Sequence, residues 1–267
     1  MGDDLPVQLP CSKEGNVNRS MIKRGSVLLL AVLLLIGIAG CGEQKGDIQI
    51  GNKTLPRDSE NLALCLSEIK DLSPIRGFQK ATKVSLCNND LTDISALKDM
   101  TQILNLDVSQ NQIADISVLE SLPQLKILNL AGNQVSDLSA LSGLTSLESI
   151  NLSDNPINDI HVLSGMKNLT IAELSHSQIS DLTPLAELTG LASLRLSYNQ
   201  ITDITPLAGL ENVTHLSLAG NEIKGEDNLQ TLMKMKGLVS LTLGSGFTQA
   251  EIERLQKALP DCMIFSR

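Results

Sequence analysis

Apolar residues return along this chain on a 22-residue period, from near Ser67 to Asn221. Asn89, Asn111, Asn133, Asn155, Asn199 and Asn221 share one register, and Ser67 and Ser177 hold the same position in two further turns. One turn reads Leu125-x-x-Leu128-x-Leu130-x-x-Asn133-x-Val135, followed by Asp137, Leu138, Leu141 and Leu144. Residues five and three before the register, such as Leu106 and Val108 or Leu194 and Leu196, stand two apart. That spacing sends both to one face of a short strand. Further apolar columns run from Ile113 to Ile201 just after the register, from Leu97 to Leu207 eight beyond it, and through Leu122 and Leu144 at eleven. One turn cannot bury its own apolar side, so neighbours must stack around a continuous core. Their strands then line up as a parallel sheet, about 4.8 Å apart.

Two polar rows interrupt the apolar ones. The register Asn sits where the chain leaves the strand and turns inward, and its amide can both donate to and accept from neighbouring backbone. Unpaired backbone groups there would cost roughly 1–3 kcal/mol each. The row Asn89, Asn111, Asn133, Asn155, Asn199, Asn221 therefore reads as a structural ladder rather than a ligand site. Asp71, Asp93, Asp115, Asp137, Asp159, Asp181 and Asp203 form a second row four residues on. Each precedes a segment such as Ile-Ser-Ala-Leu, where a short acceptor side chain predicts helix N-capping. Capping accounts for the carboxylates without a calcium ladder. Pro74, Pro184 and Pro206 fall near the start of these segments, where a missing N–H is harmless. Twenty-two residues leave too little chain for a strand plus a long helix, so short helical or 3₁₀ turns are expected on the far side.

The in-phase pattern L-x-x-L-x-L-x-x-N-x-L resembles the leucine-rich repeat in the short bacterial form seen in internalins, over about Leu62 to Leu243. The resemblance implies an α/β fold: a leucine-rich repeat solenoid with a concave parallel β-sheet and short helical or 3₁₀ turns on the convex side. It implies binding of another protein, of unspecified identity, through the concave sheet. A scaffold does not fix function, so an envelope scaffold or assembly protein without a host-type ligand is the alternative. The same short repeat also occurs in eukaryotic phosphatase-regulating subunits, a setting the N-terminal segment argues against.

That segment begins with a polar stretch, Met1 to Ser20, followed by Met21-Ile-Lys-Arg and an apolar run from Val27 to Ile38. The run is too short to span a bilayer comfortably. It closes in Ile38-Ala39-Gly40-Cys41, which resembles the bacterial lipobox. The resemblance implies lipid on the Cys41 thiol, cleavage just before it, and export to the cell envelope. With Gly42 next rather than Asp, family analogy points to the outer membrane in a Gram-negative host. A start at Met21 gives the signal ordinary proportions, and Pro6 stands where myristoylation needs Ser or Thr. The expected organisation is a leader and lipoprotein signal peptide over 1–40, a tether and N-terminal cap over 41–61, repeats over 62–245, and a C-terminal helical cap over 246–267.

Within the tether, Asp47 to Ile50 is expected as a short first strand. The register breaks after Asn221, where Gly225 replaces the Asp and Asn228 to Met235 predicts a longer convex helix. Leu241-Thr-Leu243 follows as the last repeat strand. Thr248-Gln-Ala-Glu251 is a capping-box sequence ahead of Ile252, Leu255 and Leu259, with Pro260 as a stop and Met263-Ile264-Phe265 as a final strand.

Composition narrows the chemistry. The chain carries a net charge of −9 and no basic run, and residues before Cys41 hold four basic and three acidic side chains, so the remainder stays acidic. Such a protein is a poor binder of nucleic acid. A monomer without cofactor is expected. No His-Glu-x-x-His, Cys-x-x-Cys, Gly-x-Ser-x-Gly or phosphate loop is present. Ser-x-x-Lys at Ser67, Ser95 and Ser164 falls at unrelated repeat positions, and His161 and His215 lack metal partners at helical spacing. These features predict a protein that is not an enzyme. Cys65 and Cys87 stand two before the register in adjacent turns, so they neighbour each other on the outward strand face. Export would permit a disulfide; thiols facing each other on parallel strands make an awkward bridge, so bridged and free states both stand open. Cys262 is expected unpaired in the cap, and no metal-ligand spacing appears among the cysteines.

The candidate partner contacts come from the outward columns. Positions six, four and two before the register face outward, with the residue one before it at the rim. Most are small or polar, such as Ser85, Asp107, Asn129, Asn151 and Ser217. One zone differs: Glu173 and Arg195 share an outward column, His176 and Tyr198 share the rim, and His215 stands on the next strand. Tyr and Arg tend to anchor interfaces. The same turn puts Ala172 at a large core position and Ser177 at the ladder Asn, and local rule-breaking concentrates at functional sites. Drift on a solvated face, with Glu173 and Arg195 as a surface pair of little worth, is the other reading.

Overall fold

The structure, a computed structural model, describes residues 46–266. They lie in one compact unit, Lys45–Arg267. Cys11, Cys41 and the signal segment fall outside the described residues, and among the described helices none is long and apolar enough to cross a membrane.

Ten strands form one parallel sheet in chain order. They are β3 (Asn61–Ala63), β4 (Lys83–Ser85), β5 (Asn105–Asp107), β6 (Ile127–Asn129), β7 (Ser149–Asn151), β8 (Ile171–Glu173), β9 (Ser193–Arg195), β10 (His215–Ser217), β11 (Ser240–Leu243) and β12 (Met263–Ser266). Their register aligns one core row across every strand: Leu62, Val84, Leu106, Leu128, Ile150, Ala172, Leu194, Leu216, Leu241 and Ile264. All but Ile264, at the sheet edge, are buried. The 22-residue period is thus the length of chain that returns each apolar side chain beside its counterpart. The core is one continuous apolar cluster from Ile48 to Cys262.

The expected first strand is present, over Ile48–Ile50. β1 (Ile48–Ile50) pairs antiparallel with β2 (Lys53–Leu55) in a separate hairpin and does not extend the parallel sheet. Ile48 and Ile50 still bury against the first coil, so the hairpin covers an apolar end that would otherwise meet water. At the other end, the capping box opens α2 (Gln249–Ala258), with the Thr248 side chain accepting from Glu251 N–H and the Glu251 carboxylate from Thr248 N–H. The chain after α2 then returns as β12, so the terminal segment adds a strand as well as a helix.

Seven 3₁₀ turns cross between the strands among the described residues. The Asp row does not supply their N-caps as expected. The N-cap positions are Leu72, Ile94, Ile116, Leu138, Ile160, Leu182 and Ile204, which make no side-chain cap bond. These residues are in the core. Burial claims the cap position for an apolar side chain and moves the carboxylate one residue outward. From there each Asp Oδ1 accepts the N–H two residues on, at 2.7 Å for Asp93 and 2.8 Å for the other six. This is an Asx turn, a local substitute for a cap. The bonds from the Ser117 and Ser139 N–H groups and side chains hold the Asp115 and Asp137 carboxyls below the usual carboxylate range.

The Asn row stitches coil to coil. Asn111 Nδ2 donates to Leu86 O in the preceding coil (3.0 Å) and to Val108 O (2.9 Å) and Ser109 O (3.1 Å) in its own. Its Oδ1 accepts the N–H groups of Asn89 (3.1 Å) and Leu91 (2.9 Å). These backbone groups are turned away from water, so the amide answers donors and acceptors that the sheet cannot reach. Beyond Asn221, α1 (Glu226–Lys234) replaces the 3₁₀ turn. There the buried Asn228 accepts Ile204 N–H at 2.8 Å and donates to Thr202 O and Lys224 O.

Candidate functional site: the outward face and its rim

The residue just before each register position is a backbone corner. Leu66, Asn88, Gln110, Gly132, Asp154, His176, Tyr198 and Gly220 all have positive φ, between 53° and 69°. The chain must reverse there to carry the next side chain from the outward face into the core. Gly, Asn and Asp tolerate this left-handed conformation; bulkier residues do so at a cost. Most corners use residues suited to it or the flexible Gln110. His176 and Tyr198 are aromatic rings placed where the backbone favours glycine.

The two rings stack on each other, with centroids 4.4 Å apart and planes 18° from parallel. The next corner, Gly220, is the seat of this stack. A Cβ at Gly220 would lie 2.5 Å from the Tyr198 ring. The column His176–Tyr198–Gly220 is therefore ring, ring and bare backbone, and Tyr198 is held from both sides while 49% exposed. Gly132 seats Gln110 in the same way four coils earlier.

Three residues before these corners, Arg195 Nη1 donates to Glu173 Oε1 at 2.7 Å, with the Arg side chain 58% exposed and the Glu 27% exposed. Only Ser175 and Ser197 stand between this pair and the stack on the outward face. Ser197 Oγ is taken up by Ser217 Oγ at 2.6 Å. Four of the five candidate contacts thus form two neighbouring pairs. His215 does not join them. It begins β10 opposite Ser193, two strand positions before the Arg195–Ser217 row, and its Nδ1 lies 2.9 Å from Thr214 Oγ1.

The coil that carries His176 is also where the ladder is interrupted. Ser177 Oγ is buried with no hydrogen-bond partner among the described residues. Ile157 N–H, which would meet an Asn side chain at that position, turns to Asn155 O at 2.8 Å instead. Pro156 removes one further N–H from the same turn.

Cys65 and Cys87 are joined as a disulfide with Cα atoms 4.5 Å apart, since the parallel register brings residues one repeat apart into contact. Cys262 is a free, buried thiol whose pKa is pushed up by burial. Leu66, beside Cys65, is the most exposed large apolar residue described, at 72%. Sequence reading did not single out Leu66 or the seat at Gly220. The signal for both was the corner column itself, in which Gly132 and Gly220 mark the conformation every member adopts.

This geometry defines a leucine-rich repeat solenoid, with its parallel strands on one side and 3₁₀ turns on the other. Leucine-rich repeat family profiles match residues 123–165 and 167–209, described as two-copy leucine-rich repeats, and residues 79–135. Its structural neighbours are internalin-like. An internalin, InlF of Listeria monocytogenes, is 29% identical with a TM-score of 0.71, over 80% of this chain and 63% of its own. Internalin C2 of the same organism is 28% identical with a TM-score of 0.63, over 73% of this chain and 83% of its own. The Leptospira interrogans protein LIC12759, at 24% identity and a TM-score of 0.64, shares the fold over 76% of this chain and 58% of its own. The chain therefore spans less than two thirds of the InlF and LIC12759 chains. No curated protein matches it.

Proposed function

We propose that this chain is a non-enzymatic recognition module that binds another protein through the outward face of its sheet. The observation that carries the reading is the stack of His176 on Tyr198, built on corner positions that favour glycine and seated on Gly220. Backbone strain tends to persist where function retains it. Next to the stack lies the exposed Glu173–Arg195 pair. A partly exposed ring held from two sides loses little side-chain freedom on binding, and a guanidinium beside it adds directional hydrogen bonding. Tyr and Arg are the residues from which interface hot spots are most often made. The internalin-like neighbours, with their parallel-sheet face, support protein binding as the use of this scaffold.

The second half of the proposal is location. Lys23-Arg24, the apolar run and Gly40-Cys41 support export and lipid attachment at Cys41. Only residues 42–47 would then separate the lipid from the β1–β2 hairpin, which packs on the first coil.

A photo-crosslinking residue placed at Tyr198, compared with one at Asn129, tests the face in intact cells. Capture of a defined protein from position 198 and not from 129 is expected. Equal capture of a stoichiometric envelope neighbour from both positions would favour a scaffold instead. Cys41→Ser is expected to release the protein from the membrane fraction or stall its processing; unchanged mass and membrane association would refute the anchor.

A further inference from the structure

We infer that the outward face of the first three coils holds a second site, a redox-gated binding site for a thiophilic divalent cation such as Zn²⁺. Its ligands are the thiolates of Cys65 and Cys87, available when their disulfide is reduced, and the carboxylate of Asp107. The two sulfurs and an Asp107 carboxylate oxygen all lie within 4.8 Å of one another, and all three residues are partly buried. They come from three successive coils, spaced by 22 and 20 residues, so no local ligand motif announces them.

Asp107 is the residue that turns a disulfide into a site. At the same outward position, Asn129 and Asn151 accept the N–H two residues on, at 3.1 Å and 3.0 Å. Asp107 makes the same bond to Ser109 N–H at 3.0 Å, and Ser109 Oγ adds a second to the same Oδ1 at 2.6 Å. A neutral amide therefore suffices for the backbone role, and the negative charge at 107 is surplus to it. Both bonds engage Oδ1, which fixes the carboxylate in place and leaves Oδ2 available as a ligand. Ser109 then plays the part of an outer partner that orients a metal-bound carboxylate. Two thiolates and one carboxylate suit Zn²⁺, with water completing a tetrahedron.

The chemistry balances as two steps. A thiol donor supplies two electrons and two protons to the S–S bond, which becomes two S–H groups while the donor leaves as its own disulfide. The cation then displaces the two thiol protons and binds both sulfurs. In the oxidised protein the same sulfurs are bonded to each other and bind nothing, so the two states exclude one another.

Co²⁺ is the probe, because thiolate-to-cobalt charge transfer reports sulfur ligation directly. The full chain is reduced anaerobically with a trialkylphosphine, which takes up oxygen from water as its oxide, and the phosphine is removed before titration. One Co²⁺ per chain with charge-transfer absorption, displaced by Zn²⁺, is expected for the reduced protein and not for the oxidised one. Asp107→Asn keeps the backbone bond and both thiols; it should bind Co²⁺ at least tenfold more weakly with unchanged circular dichroism. The Cys65→Ser/Cys87→Ser double variant should show no charge transfer. Absence of the absorption in the folded reduced protein would overturn the site, as would its persistence in the double variant. Unchanged affinity in Asp107→Asn would overturn the three-ligand assignment.

Discussion

The coil that ends at Asn133 and the coil that ends at Ser177 are written in the same 22-residue pattern, yet they use it differently. In the first, Asn133 Nδ2 donates to Val108 O, Leu130 O and Ala131 O while its Oδ1 accepts Ile113 N–H at 3.0 Å. The outward strand position is Asn129, which serves its own backbone, and the corner is Gly132. In the second, the ladder amide is gone, Ser177 Oγ has no partner among the described residues, the core row narrows to Ala172, and the corner is His176. The outward position is Glu173, which accepts from Arg195 on the next coil instead of from its own coil's backbone. The regular coil spends its polar groups on the fold. The irregular coil turns a larger share of them outward, which is the pattern expected where a repeat carries function as well as structure.

The largest way to break this comparison is to remove a rung. Asn133→Ala leaves buried backbone groups in two coils without partners, and should lower unfolding free energy by roughly 1–3 kcal/mol in denaturant titration. Restoring a rung should act in the opposite direction with smaller size. Ser177→Asn offers Ile157 N–H a side-chain acceptor and should raise stability by about 1 kcal/mol. Ser177→Ala, which removes the unpartnered hydroxyl, should be neutral or slightly stabilising. A marked loss of stability in Ser177→Ala would show that the hydroxyl is bonded after all, and the contrast between the coils would shrink.

Acid sharpens the picture further. The Asx-turn carboxyls of Asp71, Asp115, Asp137 and Asp181 lie below their unfolded values because hydrogen bonds from the residue two positions on favour the charged form. Glu226 is lowered from 4.5 to about 2 by its bonds from Arg254, which tie α1 to α2, and from Gln230 within α1. Groups with depressed folded pKa values stabilise fully above their unfolded pKa and lose that contribution as pH falls. The melting temperature should therefore fall steadily as pH drops from about 4.5 towards 2. Glu226→Gln should flatten part of that fall; a pH-independent melting temperature would contradict the assignment.

Most of the fold could be read from the chain because a solenoid repeats its own evidence. Eight turns in phase fix which residues face inward, and the strand register then follows from the period. The Asn ladder was legible for the same reason. What was not legible depends on competition or on distance in sequence. The Asp row looked like caps, but burial gives the cap position to Leu or Ile. The first strand was legible, but its antiparallel partner β2 was not, and Ile48 and Ile50 do their burying from that hairpin. The cluster of Cys65, Cys87 and Asp107 exists only because coils stack. Glu173, His176, Arg195 and Tyr198 could be assigned to neighbouring columns from the sequence, whereas His215 shares their face but not their end of the strand.

The central claim is that stability and recognition are carried by different sides of the same coils. Its most direct test is a crossed pair of measurements, melting temperature and affinity for the crosslinked partner, on Tyr198→Ala, Arg195→Ala and Asn133→Ala, with Asn129→Ala as the outward-face control. The two rim-zone variants should each weaken binding by about 1 kcal/mol or more, a hot-spot loss, with stability unchanged to within about 0.5 kcal/mol. Asn133→Ala should lower the melting temperature and leave affinity per folded molecule intact. Equal affinity across Tyr198→Ala, Arg195→Ala and Asn129→Ala would contradict the account, and so would a Tyr198→Ala protein that loses stability and binding together.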